Sequence, residues 1–266
     1  MKLFRYETPI YNRTVDGVQI QVIDRGDQRE LRFGNHITQS ARSLVAPDVL
    51  LLDYARAMMA GLLFVPKPDS VLHFGLGGGT IPDCLHRHLP EVQQRVVELN
   101  RGVVDVAYRY FDLPVSSRLE VVNQDGAMFL REDTHRYALI FLDAFHANGA
   151  APQMNTATAF NMLRDRLATG GWLVVNAWGS DRELLAQVRG ALRSTFEQLH
   201  YLSVRVDSNV IFIAGTQRNG PSLSQLKRRA EWLSQQFPLD FAGLLERLRP
   251  AFAPPRASTI LGDVGA

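Results

Sequence analysis

Three carboxylates recur where a ligand could use them. Glu98 ends the run Val96-Val97, Asp125 precedes Gly126, and Asp143 closes the apolar run at 139–142. Upstream, Gly75-Leu76-Gly77-Gly78-Gly79 follows the apolar run Val71-Leu72-His73-Phe74. Glycines let a backbone turn tightly and approach a ligand. The helix start behind them, with Thr80 as a candidate cap and Pro82 in the first turn, offers N–H groups and a positive dipole end. Glu98 stands nineteen residues after Gly79, the interval at which an acid meets ribose hydroxyls in nucleotide-binding units. Singly, each acid reads as well as a cap, a turn residue or a solvated charge. Together, at successive strand ends, they point to a nucleoside site. The loop lacks the Lys-Ser or Lys-Thr pair of a triphosphate loop. Thr80 also stands where a dinucleotide fingerprint has its last glycine, which favours an S-adenosyl thioether over a pyrophosphate.

Short apolar runs at 71–74, 96–99, 119–122, 139–142 and 172–175 alternate with helical patterns at 81–88, 101–111, 156–167 and 181–195. Such alternation predicts a largely parallel sheet covered on both faces, with ligands at the carboxyl ends of its strands. Runs at 199–206 and 210–214 flank Asp207-Ser208-Asn209 and predict a closing hairpin. The expectation is an α/β fold: a methyltransferase-like Rossmann domain with a mostly parallel seven-stranded sheet, preceded by a small antiparallel β-domain. Turns at Asp16-Gly17, Arg25-Gly26-Asp27 and Gly34-Asn35 punctuate that β-domain. Its expected span is 1–45, with the Rossmann-like domain at 46–220 and a helical tail with a loose terminus at 221–266. One helix is expected over 48–63.

The 266 residues are 46% hydrophobic and 21% charged, with a formal net charge of +2 and scattered basic residues. That balance fits a globular domain with a substantial core and carries no nucleic-acid footprint. Cys84 is the single cysteine, which excludes an internal disulfide and fits a reducing, cytoplasmic setting. The first residues lack a secretory apolar core, and the apolar segment at 49–65 is broken by Asp53 and Arg56, so no membrane association is expected. His86 and His88 are two apart and do not share a helix face, so no metal site is expected.

The stretch from 18 to 215 resembles the spermidine synthase, or polyamine aminopropyltransferase, family. The resemblance rests on Gln39-Ser40, Tyr54, Val71-Leu72-His73-Phe74-Gly75-Leu76-Gly77, Val96-Val97-Glu98-Leu99, Gln124-Asp125-Gly126-Ala127, Leu142-Asp143 with Pro152, and Gly170-Gly171-Trp172-Leu173. It implies that Gln39 and the loop glycines Gly75, Gly77 and Gly78 hold the thioether and ribose. It further implies that Glu98 takes the ribose hydroxyls, that Asp125-Gly126 faces the adenine amino group, and that Asp143 orients the attacking amine. The chain departs from the family in three places. Gly78 replaces the loop aspartate, Ala55-Arg56 replaces His-Glu after Tyr54, and Ala144-Phe145-His146 follows Asp143.

The resemblance implies transfer of an aminopropyl group from decarboxylated S-adenosylmethionine to a small-molecule amine, without a metal and in a homodimer. Tyr54, His146 and Trp178 are the candidate substrate-binding residues. Gly78 removes an acid that would repel a methionine carboxylate, so a methyltransferase using S-adenosylmethionine is one alternative. A non-catalytic relative that binds a nucleoside or a partner is another.

Overall fold

The computed structural model describes residues 9–34, 37–143, 145–146, 149–150, 152–204 and 209–251. The chain begins with four strands, β1 (Tyr11–Val15), β2 (Val18–Arg25), β3 (Gln28–Phe33) and β4 (Ile37–Ser43), followed by helix α1 (Asp53–Met58) and a 3₁₀ turn (Met59–Leu63). Then come β5 (Ser70–Phe74), α2 (Thr80–His88), β6 (Gln93–Glu98), α3 (Arg101–Tyr110), β7 (Leu119–Asn123), α4 (Gly126–Glu132) and β8 (Tyr137–Leu142). Two short strands, β9 (Phe145–His146) and β10 (Gly149–Ala150), precede α5 (Ala157–Asp165), β11 (Leu167–Trp178) and α6 (Arg182–Thr195). The chain closes with β12 (Gln198–Ser203), β13 (Asn209–Gly215), α7 (Leu223–Gln236), α8 (Phe241–Arg247) and β14 (Arg249–Pro250).

Strands β1 to β4 form an antiparallel sheet in chain order. Its first turn has Asp16 and Gly17 both at positive φ, 52° and 76°, the backbone a two-residue hairpin needs. Ile20, Val22, Leu31 and Phe33 on one face pack against Val103, Val106, Ala107 and Phe111 from the α3 region. The approach is close. A Cβ at Gly102 would stand 2.7 Å from Ile20 and 2.9 Å from Val15, so only glycine lets this hairpin lie on α3.

The second sheet runs β14-β12-β13-β11-β8-β5-β6-β7. β11, β8, β5, β6 and β7 are mutually parallel, and β13 lies antiparallel to β11. The sheet therefore has eight strands where the hydrophobic pattern predicts seven. The extra one, β14, pairs two residues with the edge of β12 and is too short to leave a periodic signal. Its Pro250 stands at a sheet edge, where a missing N–H is tolerated. Helices α4, α5 and α6 cover one face through Phe129, Phe160, Leu163, Val188 and Leu192. The other face buries Leu139 and Val174 under Met58, Leu62, Leu85, Leu233 and Phe241 from α1, the 3₁₀ turn, α2, α7 and α8. The single helix expected over 48–63 is instead α1 followed by the 3₁₀ turn. Leu50 makes an antiparallel bridge to Arg42, which keeps the segment ahead of Asp53 out of the helix. Among the described residues no helix is long and apolar enough to cross a membrane.

The two sheets are joined by a buried ion pair. Arg42 Nη1 of β4 donates to Asp83 Oδ2 of α2 at 2.8 Å, with both side chains 3% exposed. Asp83 also accepts from Arg87 Nε at 2.9 Å. Removing Asp83 strands a guanidinium away from water, which is costly. Asp83→Ala is expected to lower unfolding free energy by about 3–5 kcal/mol in denaturant titrations. Asp165→Ala, at the exposed Arg164 pair, is expected to change it by less than about 1 kcal/mol.

Candidate functional site

Because β5, β6, β7, β8 and β11 are parallel, their carboxyl ends fall along one edge of the sheet. A cleft of about 770 Å³ opens over that edge, with residues of the β-domain and α1 in its opposite wall. Gly75, Gly77, Glu98, Asp125, Gly126 and Asp143 line its floor side, and Gln39, Tyr54 and Trp178 line it from other directions. The structure thus gathers into one cleft most of the residues that the sequence singles out.

The loop after β5 turns on glycines at positive φ: 94° at Gly75, 54° at Gly77 and 71° at Gly79. Gly79 is the N-cap of α2 and no side chain caps it, so Thr80 is the first helical residue and does not cap as expected. The left-handed backbone at Gly79 sets the helix start one residue early. Gly78 differs from its neighbours. It is buried and does not line the cleft, contrary to its expected ligand role. A Cβ there would meet Phe111 Cδ1 at 2.6 Å and Ser40 Oγ at 2.9 Å, so the packed side chains of Phe111 and Ser40 hold this position to glycine.

Glu98 ends β6 and braces the loop. Its Oε2 accepts from Leu76 N at 2.9 Å and its Oε1 from Asn100 N at 2.8 Å. Burial raises its carboxyl above the usual range, and these backbone N–H groups pull it partly back. Each oxygen retains acceptor capacity towards the cleft. Asn100 caps α3 through Oδ1 and donates Nδ2 to Val15 O at 3.0 Å, tying the first hairpin over this end of the site. Asp125 caps α4, accepting from Met128 N through Oδ1 at 2.9 Å. Tyr54 donates its hydroxyl to the carbonyl of Gln39 at 2.7 Å, which fixes the ring against the β-domain.

Asp143, just past β8, is held by two side chains that sequence reasoning missed. Asn176 Nδ2 donates to Asp143 Oδ1 at 2.7 Å, and Asn209 Nδ2 donates to Asn176 Oδ1 at 2.7 Å. The registers explain the row. Val175 pairs with Leu142 across β11 and β8, which sets Asn176 beside Asp143. Trp178 pairs with Asn209 across β11 and β13, which sets Asn209 diagonally from Asn176 on the same face. A polar residue directly after the apolar run at 172–175 was the available signal for Asn176. Burial pushes the Asp143 carboxyl up to about 6; the Asn176 bond lowers it and the Glu98 charge raises it further. Asp16, read from sequence only as a turn residue, also lines the cleft.

Several other polar residues have structural partners or lie outside the described residues. His146 lies in β9, and its side chain is outside the described residues. Arg56 is bound to Asp53 and to the carbonyls of Leu50 and Leu51 at 2.7 and 2.8 Å. His73 is buried, stacked on Phe141 and bonded to Gln94 at 3.0 Å; burial lowers it to about 4, so it is neutral near pH 7. Asp181 caps α6 through Leu184 N. Among the described residues no group of three or more His, Cys, Asp and Glu is placed to hold a metal ion.

The raised Asp143 carboxyl has a stability consequence. Between about pH 4 and 6 the folded chain holds a proton that the unfolded chain has lost, so stability falls as pH rises through that window. Asp143→Asn removes the buried charge and keeps an acceptor for Asn176. It is expected to stabilise the fold at pH 8 by up to about 3 kcal/mol, with the gain gone at pH 4, in thermal unfolding at both pH values.

Residues 53–210 match the family model described as the spermine/spermidine synthase domain. The polyamine aminopropyltransferase of Neisseria meningitidis serogroup A is 29% identical over 235 residues, covering 87% of this chain and 89% of that protein. A probable spermidine synthase from Corynebacterium glutamicum superposes with a TM-score of 0.72 at 20% identity, covering 90% of this chain and 94% of that one. Human methyltransferase-like protein 13 in complex with SAH superposes with a TM-score of 0.63 at 20% identity, covering 78% of this chain and 98% of that one.

Proposed function

Because the chain belongs to the spermine/spermidine synthase family, we propose that its cleft binds decarboxylated S-adenosylmethionine and transfers the aminopropyl group to an amine, with methylthioadenosine as the second product. The observation that carries this is Asp143, a carboxylate at the floor of the cleft whose Oδ1 is engaged by Asn176. Among the described residues its Oδ2 has no hydrogen-bond partner and is available to an amine. The SAH-bound neighbour, and a spermidine synthase in complex with the transition-state analogue AdoDATO, support an adenosyl co-substrate.

In the proposed reaction the amine nitrogen attacks the carbon next to the sulfonium. The N–C bond forms as the C–S bond breaks, and sulfur keeps the electron pair as a neutral thioether. No acid is needed at the leaving group, so the work is positioning and proton removal. Asp143 orients the amine and accepts its proton, directly or through water. Glu98 takes the ribose hydroxyls while bracing the loop through Leu76. Asp125 faces the adenine amino group with the oxygen not used in capping. Gln39 and the loop at Gly75 and Gly77 enclose the thioether. Asp143→Asn is expected to cut methylthioadenosine release by about 10²–10⁴-fold while leaving nucleoside affinity within a few-fold, measured by product assay and calorimetry.

Methyl transfer from S-adenosylmethionine is a second reading, and Gly78 is the observation that favours it. The packing of Phe111 and Ser40 leaves no room for a side chain there, so no acid at this position meets the donor's tail. Calorimetry separates the two. Methylthioadenosine is expected to bind more tightly than S-adenosylhomocysteine, and the reverse order would favour methyl transfer.

A further inference from the structure

The three carboxylates at the strand ends are held in two ways. Glu98 accepts from Leu76 N and Asn100 N, and Asp125 from Met128 N, donors whose direction the backbone fixes. Asp143 accepts from a side-chain amide, Asn176 Nδ2, at 2.7 Å. An amide has nearly the same shape either way round, but one end donates and the other only accepts. Turned over, Asn176 would set its carbonyl oxygen against the carboxylate. Its second neighbour opposes that turn, because Asn209 Nδ2 donates to Asn176 Oδ1 at 2.7 Å. We propose that Asn209 is a positioning residue for the transfer: it holds the Asn176 amide with its NH2 on Asp143 Oδ1, which leaves Oδ2 to take the amine and its proton. This assignment rests on the reaction proposed above.

The row is directional, from Asn209 to Asn176 to Asp143. Its origin is anchored by the backbone. Asn209 pairs with Trp178 across β13 and β11, and its carbonyl accepts from Val204 N at 2.8 Å. Asn176 is 5% exposed, so bulk water is a poor substitute for either neighbour. An ionised Asp143 favours the same orientation, because it needs a donor. Once it has taken the amine's proton it can also donate, and it then accepts either end of the amide. In that step an N–H bond breaks, an O–H bond forms on Oδ2, and the proton later passes to solvent. Asn209 carries the amide's orientation through this cycle, so Asp143 meets each new amine in the same setting.

Asn209 also lines the cleft, so direct contact with substrate is the competing explanation. A double-mutant cycle separates the two. Asn209→Ala and Asn176→Ala are assayed singly and together with saturating decarboxylated S-adenosylmethionine and a panel of putrescine, spermidine and n-butylamine. Methylthioadenosine release is read by mass spectrometry, donor affinity by calorimetry and folding by thermal unfolding. Asn209→Ala is expected to lower kcat about five- to tenfold and Asn176→Ala about ten- to a hundredfold. The double variant is expected within about twofold of Asn176→Ala, with donor affinity within about twofold throughout. Asn209→Asp keeps the shape and loses the donor. It is expected to cost at least as much as Asn209→Ala alone, yet less than about twofold more on top of Asn176→Ala, where an effect of charge would persist. Should Asn176→Ala not fold, Asn176→Val, which suits a strand, takes its place in the cycle.

Additive losses overturn the assignment, since Asn209 then acts without Asn176. Unchanged kcat in Asn209→Ala, or a loss confined to donor affinity, overturns it as well. All of these leave aminopropyl transfer standing. Donor binding without product from any amine in the unaltered protein overturns the transfer reaction and the assignment together.

Discussion

A half-buried carboxylate on the floor of a cleft, at the end of a buried strand, needs a donor to hold it, and here the donor is an amide. Asn176 meets Asp143 at 2.7 Å only because β11 lies parallel to β8 in the register that brings Val175 opposite Leu142. Asn209 then donates to the Asn176 carbonyl, which fixes which end of that amide faces the carboxylate. Three neighbouring strands therefore have to be in register before the acid has its partner. A one-residue slip of β11 would turn Asn176 to the opposite face of the sheet and leave Asp143 with burial alone. The two opposing influences on Asp143, burial raising its carboxyl and the Asn176 bond lowering it, are set by this register.

On the other side of β5 the same logic fixes the nucleoside end. Glu98 grips Leu76 N, so the glycine loop is braced by the residue proposed to meet the ribose. The β-domain is tied to the loop and helices on this side of the sheet. Its Ser40 and the neighbouring Phe111 fill the space behind Gly78, its Val15 carbonyl receives Asn100, and its Arg42 reaches Asp83. Each contact ties one sheet to the loop or helix that follows a strand of the other. The cleft is thus a product of how the two sheets dock, and the Arg42–Asp83 pair is the buried charge interaction in that docking.

Much of this was legible in the chain. The parallel order followed from short apolar runs alternating with helices, and Glu98, Asp125 and Asp143 followed from their place at the ends of those runs. What escaped was of two kinds. Elements too short for periodicity, such as α4 with seven residues and β14 with two, leave no pattern to read. Side-chain partnerships between distant residues depend on sheet register, which a sequence does not display. Asn209 stood in what read as a turn, and its bond to Asn176 spans 33 residues. The bond between Asp83 and Arg42 likewise spans 41 residues. Gly78 was legible as a departure from the family, but the reason for it, the closeness of Phe111, belongs to the packing of α3.

The account centres on one cleft with a nucleoside end at Glu98 and a reacting end at Asp143. A crystal structure with methylthioadenosine bound tests that division most directly. The predicted result has both ribose hydroxyls within hydrogen-bonding distance of Glu98, the adenine beside Asp125, and the methylthio group pointing across the loop towards Asp143. Methylthioadenosine bound with its sulfur directed away from Asp143, or with Glu98 uncontacted, would contradict it.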